Sequence, residues 1–200
     1  MADGAVPAGP DLGEVFRAAM ARLPAGVCVV AAARRRGTRA TGRTARDRSA
    51  ADQGAPAGST PKDLVTDHAM TATSVTAVSL EPPMLLFCVH GDARLREVLD
   101  DVETWAVSVL DAAAVPVAEW LATPGRPTVD QLGRVAHRRG SVSGAALLAD
   151  AQAWLECRTM WIRTAGDHDI VVGEVLAAEV ARGAHGALVH RLGRLAVLAD

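Results

Sequence analysis

Two stretches of this 200-residue chain gather residue types that handle small polar ligands. In Met70–Val89, MTATSVTAVSLEPPMLLFCV, small and hydroxyl residues run into a Pro-Pro corner and then a wholly apolar strand. Small side chains let a flat ring lie near the backbone, and hydroxyls with main-chain N–H groups satisfy its polar atoms. In Gly166–Val175, GDHDIVVGEV, a histidine sits on a turn, where function often resides, and its imidazole can hold or move a proton near neutral pH. Between the two, His90-Gly91-Asp92-Ala93-Arg94 follows the apolar strand. Gly91 allows close approach, Arg94 can pair with a phosphate, and N–H groups at a helix start favour an anion. Asp92 opposes an anion or merely N-caps that helix. By residue type alone each stretch also fits a plain structural role: a half-buried strand with a wet Thr/Ser face, a surface turn, a capped helix with a solvated arginine. His190, in LVHRLG, is a second candidate histidine or a satisfied one at a sheet edge.

These residues need a scaffold. Half the chain is hydrophobic, but aromatics are four Trp, two Phe and no Tyr, so the core must rest on Val, Leu, Ala and Ile. The four Trp residues, Trp105, Trp120, Trp154 and Trp161, read as core or interface residues. The formal net charge of −2 argues against bulk attraction to nucleic acid or anionic lipid. No apolar run approaches the roughly 20 residues that span a bilayer. The N-terminal segment lacks the basic and apolar regions of a signal peptide, and Ala2 excludes myristoylation. Cys28, Cys88 and Cys157 are odd in number, far apart and in apolar contexts, which reads as reduced thiols of a cytoplasmic protein. The histidines and cysteines show no metal-ligand spacing.

Residues 1–10 read as a loose tail. Asp11 is placed to N-cap a helix whose apolar face is Val15, Phe16, Ala19, Met20 and Leu23. Val27–Ala33 reads as a buried strand. Residues 34–67 hold eight Arg or Lys against four Asp, a local +4, with almost no large apolar side chains. The segment reads as a flexible insertion in one domain covering 11–200, or else as a basic lid over a nucleotide phosphate, or as a nucleic-acid arm. Met70–Leu80 alternates as one strand, Pro82-Pro83 marks a corner, and Met84–Val89 reads as a strand covered on both faces. A short helix over Ala93–Asp101, a strand over Thr104–Leu110 and a helix over Ala112–Ala122 follow. Thr123–Gly144 is loop-rich. Strands over Ala153–Arg163, Asp169–Val180 and Ala187–Leu198 complete a pattern with no βαβ rhythm, hence an antiparallel barrel.

The string T-x-T-S-x-x-x-x-S-L-x-P-P with the apolar strand behind it, the later GDH followed by I-V-V-G-E-V, and the entry FRAAMARLPAGVCVVAA together resemble the flavin reductase family. The resemblance covers about Phe16 to Leu198 apart from the insertion, where relatives generally have a short hairpin. It implies a mainly β fold, the antiparallel Greek-key split β-barrel that binds FMN, with a few peripheral helices and a homodimer carrying flavin near its interface. It implies hydride transfer from NADH or NADPH to FMN or FAD, with reduced flavin passing to a separate monooxygenase. The flavin strand would be Thr71, Ala72, Thr73, Ser74 and Ser79, with Ala77 departing from the serine that relatives often carry. The phosphate segment would be His90, Gly91 and Arg94. Asp167 would shape the turn, His168 would position the ring or donate a proton to it, and His190 would lie near the cofactor. A tightly flavin-bound oxidoreductase with its own substrate, or a binding protein without turnover, are the other readings. No Rossmann fingerprint is present from which to tell NADH from NADPH.

Overall fold

The computed structural model describes residues 11–35, 65–127, 129–183 and 186–198. The tail 1–10 and residues 36–64, the greater part of the expected insertion, lie outside the described residues, as does the basic-lid reading for Arg36.

Helix α1 (Leu12–Met20) opens the chain, with the Asp11 carboxylate accepting from the Glu14 N–H at 3.2 Å, as its sequence predicts. Short β1 (Ala25–Gly26) and long β2 (Cys28–Arg35) follow, then β3 (Val65–Ala72), β4 (Thr76–Leu80) and β5 (Pro83–His90). Helix α2 (Arg94–Leu99), strand β6 (Thr104–Leu110), a 3-10 turn (Ala112–Ala114) and helix α3 (Val115–Ala122) lead to a small hairpin of β7 (His137–Arg139) and β8 (Ala146–Leu148). The two longest strands, β9 (Ala151–Ala165) and β10 (His168–Val180), precede β11 (Ala187–Arg191) and β12 (Arg194–Leu198).

Seven strands form one antiparallel sheet in the order β3-β2-β6-β9-β10-β5-β4, and β1-β11-β12 form a second. The outermost strands of the large sheet, β3 and β4, are successive parts of one chain segment. The sheet must therefore roll until its two ends meet, which is the expected split-barrel arrangement. Inside the roll, Val30, Phe87, Trp105, Val107 and Val171 are fully buried, with Leu95, Val98 and Leu99 of α2 closing one end. Phe87 and Trp105 meet edge to face at 4.9 Å. Outside it, Val29, Ala31 and Leu110 pack against Ala118 and Leu121 of α3 and against Ala146–Leu148. Strand β2 is thus buried on both faces, which is why VCVVAAA shows no alternation.

Several sequence expectations need correction. The strand expected over Met70–Leu80 breaks at Thr73–Val75, because one segment has to serve both ends of the rolled sheet. The stretch 34–67 begins and ends as strand: Arg35 pairs with Val65 and Arg34 with Thr66, and the Arg34 side chain bonds Asp101 at 3.0 Å. Strand β5 is fully buried on one face only, at Leu85, Phe87 and Val89, while Met84, Leu86 and Cys88 are half-buried. The closing strand is a hairpin, turned at Leu192 and Gly193, both at positive φ. The three cysteines are free, and burial raises the thiols of Cys28 to about 11 and, aided by Glu156, of Cys157 to about 12.

Candidate functional site

The break in the β3–β4 segment is held by one side chain. The Ser74 hydroxyl accepts from the Cys88 N–H at 2.9 Å and donates to the Cys88 carbonyl at 3.3 Å, fastening the segment to β5. Its neighbours in the expected flavin strand are also engaged. Thr71 donates through Oγ1 to the Ala118 carbonyl of α3 at 2.7 Å, and the Ser79 hydroxyl accepts from the Glu81 N–H at 3.2 Å. Ala72 is buried in the core. The side chains left facing outward are Thr73, Thr76, Ala77 and Val78. The segment is therefore an open shelf whose hydroxyls serve the fold first, and Thr73 is its exposed hydroxyl beside the break.

Two of the expected histidines meet. His90 ends β5 and His168 begins β10, and the antiparallel register sets them opposite each other. Their rings cross at 75° with centroids 5.3 Å apart. The Asp167 carboxylate lies 2.7 Å from His168 Nδ1, and the hydrogen bond and charge of that imidazole pull the Asp167 carboxyl below its ordinary range. A carboxylate acceptor fixes the proton on Nδ1, so Nε2 is the nitrogen directed to a ligand. The turn is tied down from the other side, where the Gly91 N–H donates to the Asp167 carbonyl at 3.0 Å and the Asp92 N–H donates to His90 Nδ1 at 3.1 Å. Gly166, at φ +69°, supplies the left-handed residue this turn requires. Gly91 carries no such demand, since a Cβ there would meet only the Asp167 carbonyl at 3.7 Å.

From His90 a cavity of about 780 Å³ runs between Asp92–Leu95, the edge of β3 at His68–Thr71, and residues 121–126 with Gln131. Arg94 lines it but also pairs with Glu97 at 2.7 Å, both exposed, so its charge is shared. Ala93, not Asp92, is the N-cap residue of α2, and no side chain caps it.

The far wall comes from residues the sequence reading left in a loop. The Ala69 N–H donates to Gln131 Oε1 at 2.8 Å, and Arg126 donates to the Ala69 and Thr123 carbonyls. Two side chains thus stand in for a neighbouring strand along the edge of β3. Beside Ala69, His68 is 3% exposed, and neither of its ring nitrogens has a hydrogen-bond partner among the described residues. Burial, then the charges of Arg34 and Arg94, lowers its pKa, with Asp67 and Glu97 opposing. No periodicity pointed to His68, Arg126 or Gln131; a histidine just ahead of the Met70 strand was the available signal. His190 is not brought to this group. It lies in the three-stranded sheet, in register with Ala25 and Leu195.

The combination suits a flavin nucleotide. His90 of the histidine pair lines the cavity, as do Met70 and Thr71 just ahead of the exposed Thr73–Val78 stretch, and the cavity holds buried polar atoms without a partner among the described residues.

Comparison with known proteins agrees. The NADH-dependent FAD reductase of Streptomyces globisporus is 46% identical over 110 residues, covering 54% of this chain and 60% of that protein, so the chain spans less than two thirds of that curated relative. The solved NADH:FAD oxidoreductase SgcE6 of Streptomyces globisporus superposes with a TM-score of 0.74 at 32% identity, over 99% of this chain and all of that one. BorF, the flavin reductase component of a bacterial two-component tryptophan halogenase, gives 0.73 at 33% identity, over 94% and 99% of the two chains. The model of the flavin reductase like domain matches residues 20–199, and with that match across most of its length this chain belongs to the flavin reductase family.

Proposed function

We propose that the chain is an NAD(P)H:flavin oxidoreductase, reducing FMN or FAD and releasing the reduced flavin to a separate monooxygenase. The observation that carries this reading is the His90–His168 pair, with His90 lining a 780 Å³ cavity that Met70 and Thr71, just ahead of the exposed Thr73–Val78 stretch, also line. Flavin supplies the redox chemistry, accepting hydride from the nicotinamide. The chain's own task is to position two stacked rings and exclude alternatives. The shelf offers small side chains against which a ring can lie flat. Asp167 orients His168, whose Nε2 accepts from a nicotinamide carboxamide in the neutral ring and donates to a ring nitrogen as the imidazolium. Release of product accords with a shelf open to solvent, and BorF is itself one half of a two-component system.

Steady-state oxidation of NADH and NADPH, crossed with added FMN, FAD and riboflavin, tests the proposal. Turnover that depends on added flavin is expected. A preparation that stays yellow and turns over without added flavin would favour a resident cofactor and a separate organic substrate. No turnover with any pair would leave a binding protein.

The homodimer belongs to the same proposal. On α1, Leu12, Val15, Phe16 and Met20 are all exposed, as is Leu23 just beyond it, so among the described residues the apolar face its sequence predicts is left uncovered. A second copy is the natural cover. Light scattering should give twice the protomer mass, and a Phe16→Glu variant should halve it. A cytoplasmic setting accords with the three free thiols.

A further inference from the structure

The cavity is lined by more than a flavin mononucleotide needs. With the ring at His90 and His168 and the ribityl phosphate near Arg94, FMN would leave part of that lining uncovered. The same cavity is also lined by Met70, Leu121, Pro124, His68, Arg126 and Gln131. Cavities that enclose whole small ligands run to about 300–1,000 Å³, and this one, at 780 Å³, falls toward the upper end of that range.

Among the described residues, three polar atoms of this lining have no hydrogen-bond partner: Nδ1 and Nε2 of His68 and Nε of Arg126. Leaving buried donors and acceptors unpaired is unfavourable. The neighbouring backbone cannot satisfy them, because the N–H and carbonyl of Ala69 are already taken by Gln131 and Arg126. The cavity is the side from which a partner can come. His68, kept neutral by burial and by the nearby arginines, offers one donor and one acceptor. Arg126 rests on two carbonyl oxygens and, among the described residues, has no carboxylate to balance its charge. One uncompensated cation, a donor–acceptor pair and the apolar lining at Met70, Leu121 and Pro124 match a diphosphate joined to a purine. A purine has apolar faces and an edge that both gives and takes hydrogen bonds.

We propose that His68, Arg126 and Gln131 recognise the adenosine diphosphate half of FAD, so that the chain selects FAD over FMN. This rests on the flavin reading above and names the substrate within it.

The experiment uses the full chain. Equilibrium binding of FAD and of FMN is followed by quenching of tryptophan fluorescence, and each flavin's KM is measured at saturating NADH. Wild type should prefer FAD by at least about tenfold in both, the equivalent of one to two good hydrogen bonds. ADP should inhibit competitively against FAD. His68→Leu and Arg126→Met should each raise the Kd and KM for FAD about tenfold and move those for FMN less than about twofold. His68→Gln, which keeps a donor and an acceptor, should restore most of the preference. Equal losses for both flavins would overturn the proposal, as would a wild type indifferent between them. ADP competing with NADH and not with FAD would give the cavity to the nicotinamide dinucleotide and also overturn it. The wild-type ratio and the ADP pattern decide the matter even if a variant folds poorly. Should neither flavin support turnover, the reductase reading fails, while the binding arm still reports the preference.

Discussion

Trp105 occupies the space that a side chain at Gly173 would fill. A Cβ on Gly173 would lie 2.5 Å from Cζ2 of that indole and 3.2 Å from the Cβ of Cys157. The indole cannot swing away, because Nε1 donates to Thr159 Oγ1 at 3.0 Å and Phe87 packs edge-on against it. Gly173→Ala should therefore destabilise the fold by about 1–3 kcal/mol, the usual cost of overpacking. The lower midpoint in urea should come with an altered near-ultraviolet circular dichroism signal. An unchanged midpoint would mean the interior has slack at this point.

Ser74 and Thr73 should separate fold from ligand. Ser74→Ala leaves the N–H and carbonyl of Cys88 without their shared partner and should cost about 1–2 kcal/mol. Thr73→Val changes an exposed side chain and should raise the KM for flavin while leaving the urea midpoint in place. The opposite pattern would show the shelf to be misassigned.

His168→Ala should slow flavin reduction in single-turnover mixing by about a hundredfold, the low end of what a positioned proton donor contributes. The side chain is exposed, and the Tm should hold. Unaltered kinetics would remove it from the site.

Glu156 sets a pH window for stability. Burial alone would raise its carboxyl pKa, but the N–H and hydroxyl of Ser143 and the N–H groups of Val142 and Ser141 outweigh burial and hold it below the ordinary 4.5. The folded state thus binds the proton less readily than the unfolded chain. The stabilisation is complete above the ordinary value and is lost as pH falls from there through the folded one. Glu156→Gln should cost about 2 kcal/mol at neutral pH. Urea titrations should show the gap between variant and wild type closing in acid; a gap that persists there would contradict the assignment.

Much of this molecule could be read before it was seen, for identifiable reasons. Helix α1, its Asp11 cap and the strand at Thr104–Leu110 follow local chemistry that nothing overrides. Where tertiary demands prevail, the reading failed. Leu192 is a poor choice for a hairpin turn at φ 52°, and its N–H bonds the Ala21 carbonyl at the end of α1, a contact no local pattern reveals. The pairing of His90 with His168 depends on strand register across 77 intervening positions of chain, so their sequence contexts gave each a role but not each other. His68, Arg126 and Gln131 come together because loop side chains cap a strand edge, an arrangement without a periodic signature.

The span from Val65 to Leu80 contributes both outermost strands of the rolled sheet and also the exposed surface at Thr73–Val78. Selectivity and foldedness are thereby inherited together. A mutational library aimed at this span would lose many members to insolubility before any could be screened for a new preference. Broadening what the protein accepts is better attempted from a background first made more robust elsewhere, or through Ala122, Pro124 and Gly125 of the cavity lining, which lie outside that span.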